Sequence, residues 1–281
     1  MNAARFRAVL TGATGGIGRA MALRLGPLCE SLLLVARDAA ALAALVREVD
    51  AAGGRARAVP ADLTMDSGRD AVLRAAVEAQ GGIDLFINNA GAGEFAWLAD
   101  QDDATLERIV RVNVLAPMQL TRRLLPLMLA QPAARIVNVG SILGYLGYPG
   151  HAAYSASKFA LRGFSEALRR ELADGPVQVT YFAPRATRTA MNSAATCALN
   201  AELGVAMDTP EAVADALVAL LEKPAREYPL GMPERLFARL NQIVPGLVDR
   251  VLRRQLPIIR RHARGTPLQL TSQGESPCAC E

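Results

Sequence analysis

Aromatic residues make up only 5% of the 281-residue sequence, which also has just two histidines, four cysteines and, among 31 basic residues, two lysines, Lys158 and Lys223. So few aromatics, in a chain whose apolar content is mostly alanine and leucine, argue against an all-β sandwich. The cysteines (29, 197, 278 and 280) and histidines (151 and 262) are scattered without zinc-ligand spacing. That excludes a metal centre, and a disulfide framework is not expected beside a large core. No long apolar run exists: the longest uncharged stretch, 136–157, is full of Gly, Ser, Asn, Tyr, His and Pro and does not read as a membrane span. Glycines at 12, 15 and 16 interrupt the first apolar run, so no secretory signal is expected and the chain reads as cytoplasmic. What is plentiful is apolar residue, 51% against 21% charged, enough for one large α/β domain or two small ones.

The formal net charge of +4 is unevenly placed. Residues 234–264 carry eight arginines (235, 239, 250, 253, 254, 260, 261 and 264) against Glu234 and Asp249, residues 265–281 carry only Glu275 and Glu281, and residues 1–233 are neutral. The main body therefore lacks the basic face that nucleic-acid binding needs, and no nucleic-acid partner is expected.

Short apolar runs alternate with helical patterns. Strands are predicted at 6–10, 32–36, 57–60, 85–88, 135–139 and 177–182, and helices at 16–25, 39–52, from a cap at Ser67 toward Gly81–Gly82, at 103–130 and at 151–172. Strands separated by helices imply parallel βαβ units, and apolar strands without alternation imply a sheet covered on both faces. A phosphate-binding loop in the first turn favours a doubly wound, Rossmann-type α/β sheet over a barrel. Residues 1–233 are read as one such domain, with a small-residue, irregular stretch at 185–209 as a lid and a helix at 210–221. Residues 234–264 form a basic amphipathic helical extension, with Leu236, Leu240, Ile243, Leu247, Val251 and Leu252 on one stripe and a break at Pro245; residues 265–281 read as a flexible tail.

Thr11-Gly12-Ala13-Thr14-Gly15-Gly16-Ile17-Gly18 follows the first strand and opens a helix. Glycines there let the backbone approach a pyrophosphate, which the helix N-terminus attracts. At the tip of the second strand stand Ala36 and Arg37 where an NAD-binding chain usually offers an acid, which points to NADP(H); Asp38 counts against it, since its charge repels a phosphate. Tyr154 and Lys158 lie four apart on a predicted helix and share a face. A tyrosine ionises near pH 10, and a cation one turn away brings it toward working range. Ser141, at the end of the fifth strand, is placed to hold a substrate carbonyl.

Over residues 5–231 the chain resembles a short-chain dehydrogenase/reductase. Thr11–Gly18 matches the family's cofactor loop, Asn88-Asn89-Ala90-Gly91 its Asn-Asn-Ala-Gly motif, Ala61-Asp62-Leu63 its adenine-side aspartate, Val112-Asn113-Val114 its helix asparagine, and Ser141, Tyr154 and Lys158 its Ser–Tyr–x-x-x–Lys set. The resemblance implies that Gly12, Thr14, Gly16, Ile17, Gly18, Asp62, Leu63, Asn89, Ala90 and Gly91 meet the cofactor. It further implies that Tyr154 is the general acid or base, that Lys158 lowers its pKa and binds the nicotinamide ribose, and that Asn113 holds a water linking Lys158 to solvent. Pro184, Thr187 and Thr189 match a stretch that contacts the nicotinamide amide and phosphate. Arg185 stands where the family usually has glycine, and three readings are open: it perturbs cofactor binding, it binds an anionic group of the substrate, or it points outward from a tolerated turn.

The expected activity is NADP(H)-dependent interconversion of a ketone and a secondary alcohol, with the apolar lid residues Met191, Leu199, Leu203, Val205 and Met207 pointing to an apolar substrate. The alternatives are an NAD-dependent alcohol dehydrogenase and a non-catalytic dinucleotide sensor or scaffold. A homo-oligomer, dimer or tetramer, is expected. The 234–264 stripe packs on the body or a second subunit, or it contacts an anionic membrane peripherally.

Overall fold

The computed structural model describes residues 6–79 and 82–264; the expected tail at 265–281 lies outside the described residues. Seven parallel strands form one sheet in the order β3-β2-β1-β4-β5-β6-β7, which is the doubly wound pattern with its switch point between β1 and β4. They are β1 (Phe6–Thr11), β2 (Cys29–Ala36), β3 (Ala56–Pro60), β4 (Leu85–Asn88), β5 (Ala134–Val139), β6 (Val177–Ala183) and β7 (Glu227–Pro229). The helices are α1 (Gly16–Leu25), α2 (Ala39–Ala51), α3 (Asp66–Glu78), α4 (Asp103–Val110), α5 (Ala116–Leu129), α6 (Ala152–Glu171), α7 (Ala194–Glu202), α8 (Pro210–Glu222), α9 (Met232–Ile243) and α10 (Pro245–Ala263).

The apolar strands are buried on both faces because helices cover both. On one face Ala8, Leu10, Leu32 and Leu34 meet Met21 and Leu25 of α1, Leu42 and Val49 of α2 and Leu217 of α8. On the other, Val9, Leu33, Val35 and Phe86 meet Val72 of α3, Leu120 and Leu124 of α5 and Leu168 of α6. Successive residues of one strand thus serve opposite cores, so a one-residue slip would exchange them.

Four details depart from the sequence expectations. The helix expected to be capped by Ser67 starts two residues earlier, at Asp66, after Met65, which makes no side-chain cap; the Asp66 carboxylate supplies the negative charge of the first turn and binds Arg69 at 2.7 Å and Arg123 at 2.6 Å. The helix expected at 103–130 is divided by a π-helical turn, Arg111–Leu115. Pro117 explains it: with no N–H, it cannot bond the carbonyl of Asn113 four residues back, so the α pattern cannot close there. The stretch 185–209 contains α7, capped by Ser193, whose hydroxyl accepts from the Thr196 N–H at 3.2 Å. A seventh strand, three residues long, pairs with β6 and was unexpected. Of the two cysteines among the described residues, Cys29 is a buried free thiol and Cys197 is buried on α7.

The strands' C-terminal ends lie along one edge, with a row of buried polar groups beneath. Asn88, Asn138 and Tyr181 are register partners on β4, β5 and β6 and so share a face. Asn88 donates to Asn138 Oδ1 at 2.8 Å and Thr121 Oγ1 at 3.2 Å, and Asn138 donates to Ser165 at 2.8 Å. Each amide is satisfied, which turns polar burial from a cost into a constraint on how α5 and α6 sit.

Candidate active site

Every strand that carries a predicted site residue delivers it to this edge. β1 ends in the glycine loop, β2 in Arg37, β3 leads to Asp62, β4 to Asn89–Gly91, β5 to Ser141 and β6 to Pro184–Thr189.

The glycine loop fits its expected task. Gly12 is left-handed, at φ 64°, and a Cβ there would lie 2.8 Å from the Ala90 Cα; at Gly18 it would lie 2.0 Å from the Gly12 carbonyl oxygen, and at Gly16 2.9 Å from Thr189 Cγ2. Thr11 fixes the loop to the β4 exit, its hydroxyl accepting from the N–H groups of Asn89 at 3.0 Å and Ala90 at 3.1 Å. The Asn89 side-chain amide donates to the carbonyls of Thr11 at 3.0 Å and Gly12 at 3.1 Å, holding the loop itself. The N-terminus of α1, where Gly16, Ile17 and Gly18 follow Thr14, has no side-chain cap and no acid in its first turn. Its N–H groups and dipole are therefore available to an anion such as a dinucleotide pyrophosphate.

At the β2 tip, Arg37 is exposed and has no ion-pair partner among the described residues. Asp38 caps α2, one carboxylate oxygen accepting from the Ala40 and Ala41 N–H groups at 2.9 and 3.0 Å. Asp62 accepts from the Thr64 N–H at 2.9 Å and hydroxyl at 2.7 Å, both at Oδ1. These hydrogen bonds, and more weakly the charges of Arg37 and Arg69, hold its pKa below the ordinary value. The carbonyl of Leu63 accepts from the buried Arg69.

Ser141, Tyr154 and Lys158 come together beside this loop. Tyr154 is half-buried; desolvation raises its pKa, and a hydrogen bond with the Ser141 side chain lowers it by less. Lys158 is buried, donates to the Val139 carbonyl at 3.0 Å and lies 5.6 Å from the Tyr154 ring centroid. Burial pushes its pKa down to about 8. Burial is the larger effect on Tyr154, and the Lys158 ammonium bonds a backbone carbonyl and faces the ring.

Asn113, in the π turn, is buried with its amide fully engaged: it donates to Ala92 O at 2.8 Å and Ser157 Oγ at 2.9 Å, and accepts from Ala92 N at 2.8 Å. Thr187 is buried, its hydroxyl donating to the Arg185 carbonyl at 3.0 Å, whereas Thr189 touches the glycine loop at Gly16. Pro184 is buried, and its carbonyl accepts from Ile142 N at 3.0 Å. Arg185 neither enters the site nor points outward. It pairs with Asp208 at 2.6 Å and with Glu234 of α9 at 3.3 Å, and its Cδ packs against Gly231, which is left-handed at φ 85°. These two acids hold its pKa above the ordinary value. Of the five apolar lid residues, Leu199 and Leu203 pack with Phe95 and Ile259, and the Met191 sulfur and the Tyr154 ring both approach Gly93.

Two residues escaped the sequence analysis. Tyr181, fully buried, accepts from the Ser141 N–H at 3.2 Å and lies 3.1 and 3.2 Å from the carbonyls of Ser141 and Lys158. Gly140 and Gly144 make room for it, since a Cβ at either would come within 2.0 Å of the phenol. Nothing in the sequence distinguishes Tyr181 from an ordinary strand residue. His151 precedes α6 with its ring against Phe95 (4.9 Å between centroids) and edge-on to Tyr154 (6.1 Å). Its Nδ1 is buried without a partner among the described residues, and burial pushes its pKa down to about 4. Its place three residues before Tyr154 was the available signal.

The family described as short chain dehydrogenase matches residues 7–199, and the chain belongs to it. The ketoacyl reductase HetN of Nostoc sp. is 33% identical over 252 residues, 87% of each chain. A short-chain dehydrogenase/reductase from Burkholderia phymatum, solved in complex with NAD, superposes with a TM-score of 0.78 at 29% identity, covering 88% of this chain and 96% of its own. A point variant of the actinorhodin polyketide ketoreductase, solved with NADPH, gives a TM-score of 0.71 at 27% identity over 80% of this chain and 95% of its own. The chain is therefore an oxidoreductase of this family.

Two outcomes follow from the geometry. Tyr181→Phe removes one hydroxyl serving three buried backbone groups and should cost about 1–3 kcal/mol of stability, read by denaturant unfolding; an unchanged midpoint would show that the hydroxyl is dispensable. His151 is held neutral by the fold at pH values where the unfolded chain binds a proton. Its contribution is fully present above about pH 6.5 and is lost as pH falls through about 4, worth on the order of 3 kcal/mol. His151→Gln should flatten that part of the melting-temperature profile relative to the parent, and parallel profiles would contradict the assignment.

Proposed function

We propose that the protein is an NADP(H)-dependent reductase of apolar ketones, working in the cytoplasm. The observation that carries the reading is Ser141, Tyr154 and Lys158 meeting beside a glycine loop at one sheet edge. When bound, the cofactor supplies the hydride for the carbonyl carbon. Tyr154 gives its hydroxyl proton to the carbonyl oxygen, and the product is the secondary alcohol. Tyr154 carries its proton at neutral pH, as a general acid in the reducing direction must, and burial makes that proton harder to give. Ser141, whose side chain lowers the Tyr154 pKa, orients the substrate oxygen. Lys158 is the charge that replaces the proton's field once Tyr154 has given it up, and a cation there favours the phenolate. Because the Asn113 side chain is fully engaged, a water relaying protons from Lys158 would rest on its backbone carbonyl, which Pro117 leaves without an α-helical donor.

Arg37 supports NADP(H): it is exposed at the β2 tip without an ion-pair partner among the described residues, while Asp38 is spent on its helix. Met191 beside Tyr154 supports an apolar substrate. Exposed Val110 and Leu115, at the junction of α4 and the π turn, and Phe159 on α6 support assembly into a dimer or tetramer. A dinucleotide sensor would not need the proton donor, and an NAD-dependent enzyme would not need Arg37.

Tyr154→Phe keeps the ring and removes the proton. NADPH-dependent ketone reduction should fall roughly 100- to 10,000-fold with NADPH binding retained, and activity within threefold of the parent would end the assignment. Arg37→Ala should weaken NADPH binding about 10- to 150-fold and NADH binding far less, as befits one charge-assisted hydrogen bond to a phosphate. Equal losses in a titration of both cofactors would remove Arg37 from that role.

A further inference from the structure

The eight arginines of the C-terminal extension divide into two groups. Arg260 and Arg264 lie over the Trp97 ring, 5.2 and 5.8 Å from its centroid, and Arg264 also pairs with Asp100 at 3.4 Å. Arg261 pairs with Glu202 of α7, which His262 also contacts at 2.7 Å. These three fasten the end of α10 to the body. The other five, Arg235, Arg239, Arg250, Arg253 and Arg254, are exposed and have no ion-pair partner among the described residues.

The apolar side chains of the extension divide in the same way, with Leu240, Val251 and Leu252 of the stripe half-buried. Ala238, Val248 and Ile259 are buried, Ala238 against Tyr145, Leu161, Tyr181 and Ala183. Facing outward are Met232, Leu236 and Ile243, 75%, 66% and 79% exposed, together with exposed Phe237, Val244 and Leu247. Met232, Leu236 and Ile243 recur at helical spacing on one face of α9, and Val244 is the single residue joining α9 to α10. One end of the extension is thus an apolar tip flanked by unpaired arginines, with Glu234 held by Arg185 and Asp249 the exposed acid nearby.

We propose that this tip rests on an anionic lipid bilayer, with its apolar side chains at the acyl boundary and the five arginines among the headgroups. Charge decides between lipid and a second copy of the chain. A two-fold interface would set the same patch against itself, arginines facing arginines, whereas anionic headgroups complement them. Among the described residues no helix is long and apolar enough to cross a membrane, so the contact is with the surface. The inference is independent of the reaction assigned above.

The test is co-sedimentation of the full chain with phosphatidylcholine vesicles, with and without about a quarter phosphatidylglycerol. Binding is expected to the anionic vesicles alone, and to fall at least tenfold between about 10 and 150 mM salt, as the screening length shrinks from roughly 30 to 8 Å. Arg250→Gln with Arg253→Gln should lower partitioning roughly 25-fold, about fivefold per charge. Ile243→Ser with Leu247→Ser should weaken binding at every salt concentration. Both pairs are exposed, so melting temperature and cofactor binding should hold. A full chain that stays in the supernatant with anionic vesicles at low salt overturns the proposal. So does a tip variant that splits an oligomer in sedimentation velocity without changing vesicle binding, which would assign the face to a second copy.

Discussion

The site depends on one close backbone approach, between the glycine loop after β1 and the turn after β4. β1 and β4 are neighbours at the switch point of the sheet, so their exits must share the space above it. Gly12 leaves no room for a Cβ against Ala90, and Gly18 none against Gly12. Thr11 and Asn89 lock the approach by hydrogen bonds in both directions. Side chains at these glycines would push the two exits apart and separate the anion cradle from the residues that follow β4 and β5.

A second constraint lies beneath the edge. Asn88, Asn138 and Tyr181 are polar residues at positions where the other strand residues are apolar, and each is satisfied by a helix or a turn it must hold in place. Tyr181 in particular fixes the backbones of Ser141 and Lys158, which come from different elements. Burial costs a phenol unless its hydroxyl is bonded, so the same bonds that satisfy Tyr181 set the spacing of the catalytic constellation.

Arg185 links the site to the extension. Where the resemblance led one to expect glycine, its guanidinium bridges Asp208, at the base of the lid, and Glu234, in the first turn of α9. The departure from the family pattern therefore serves the seating of α9 over the end of β6. Thr189, four residues on, stays against the glycine loop at Gly16.

Periodicity and turn chemistry by themselves determined six of the strands, the helices between them and the parallel, doubly wound arrangement, because apolar runs of strand length separated by amphipathic helices admit few alternatives. The glycine loop and the Ser141–Tyr154–Lys158 set were legible for the same reason: each depends on local spacing. What only the tertiary structure decided were matters of contact between distant segments. β7 is a polar tripeptide that becomes a strand solely by pairing with β6. The Asn89 amide turns to the carbonyls of Thr11 and Gly12 and the Asn113 amide to Ala92 and Ser157, and burial raises the Tyr154 pKa. The arginines of 234–264 look alike in the sequence, and only Trp97, Asp100 and Glu202, each more than fifty residues away, divide them into those that bind the body and those that face outward. Hydrogen-bond partners and desolvation are properties of the packed chain, and no local pattern encodes them.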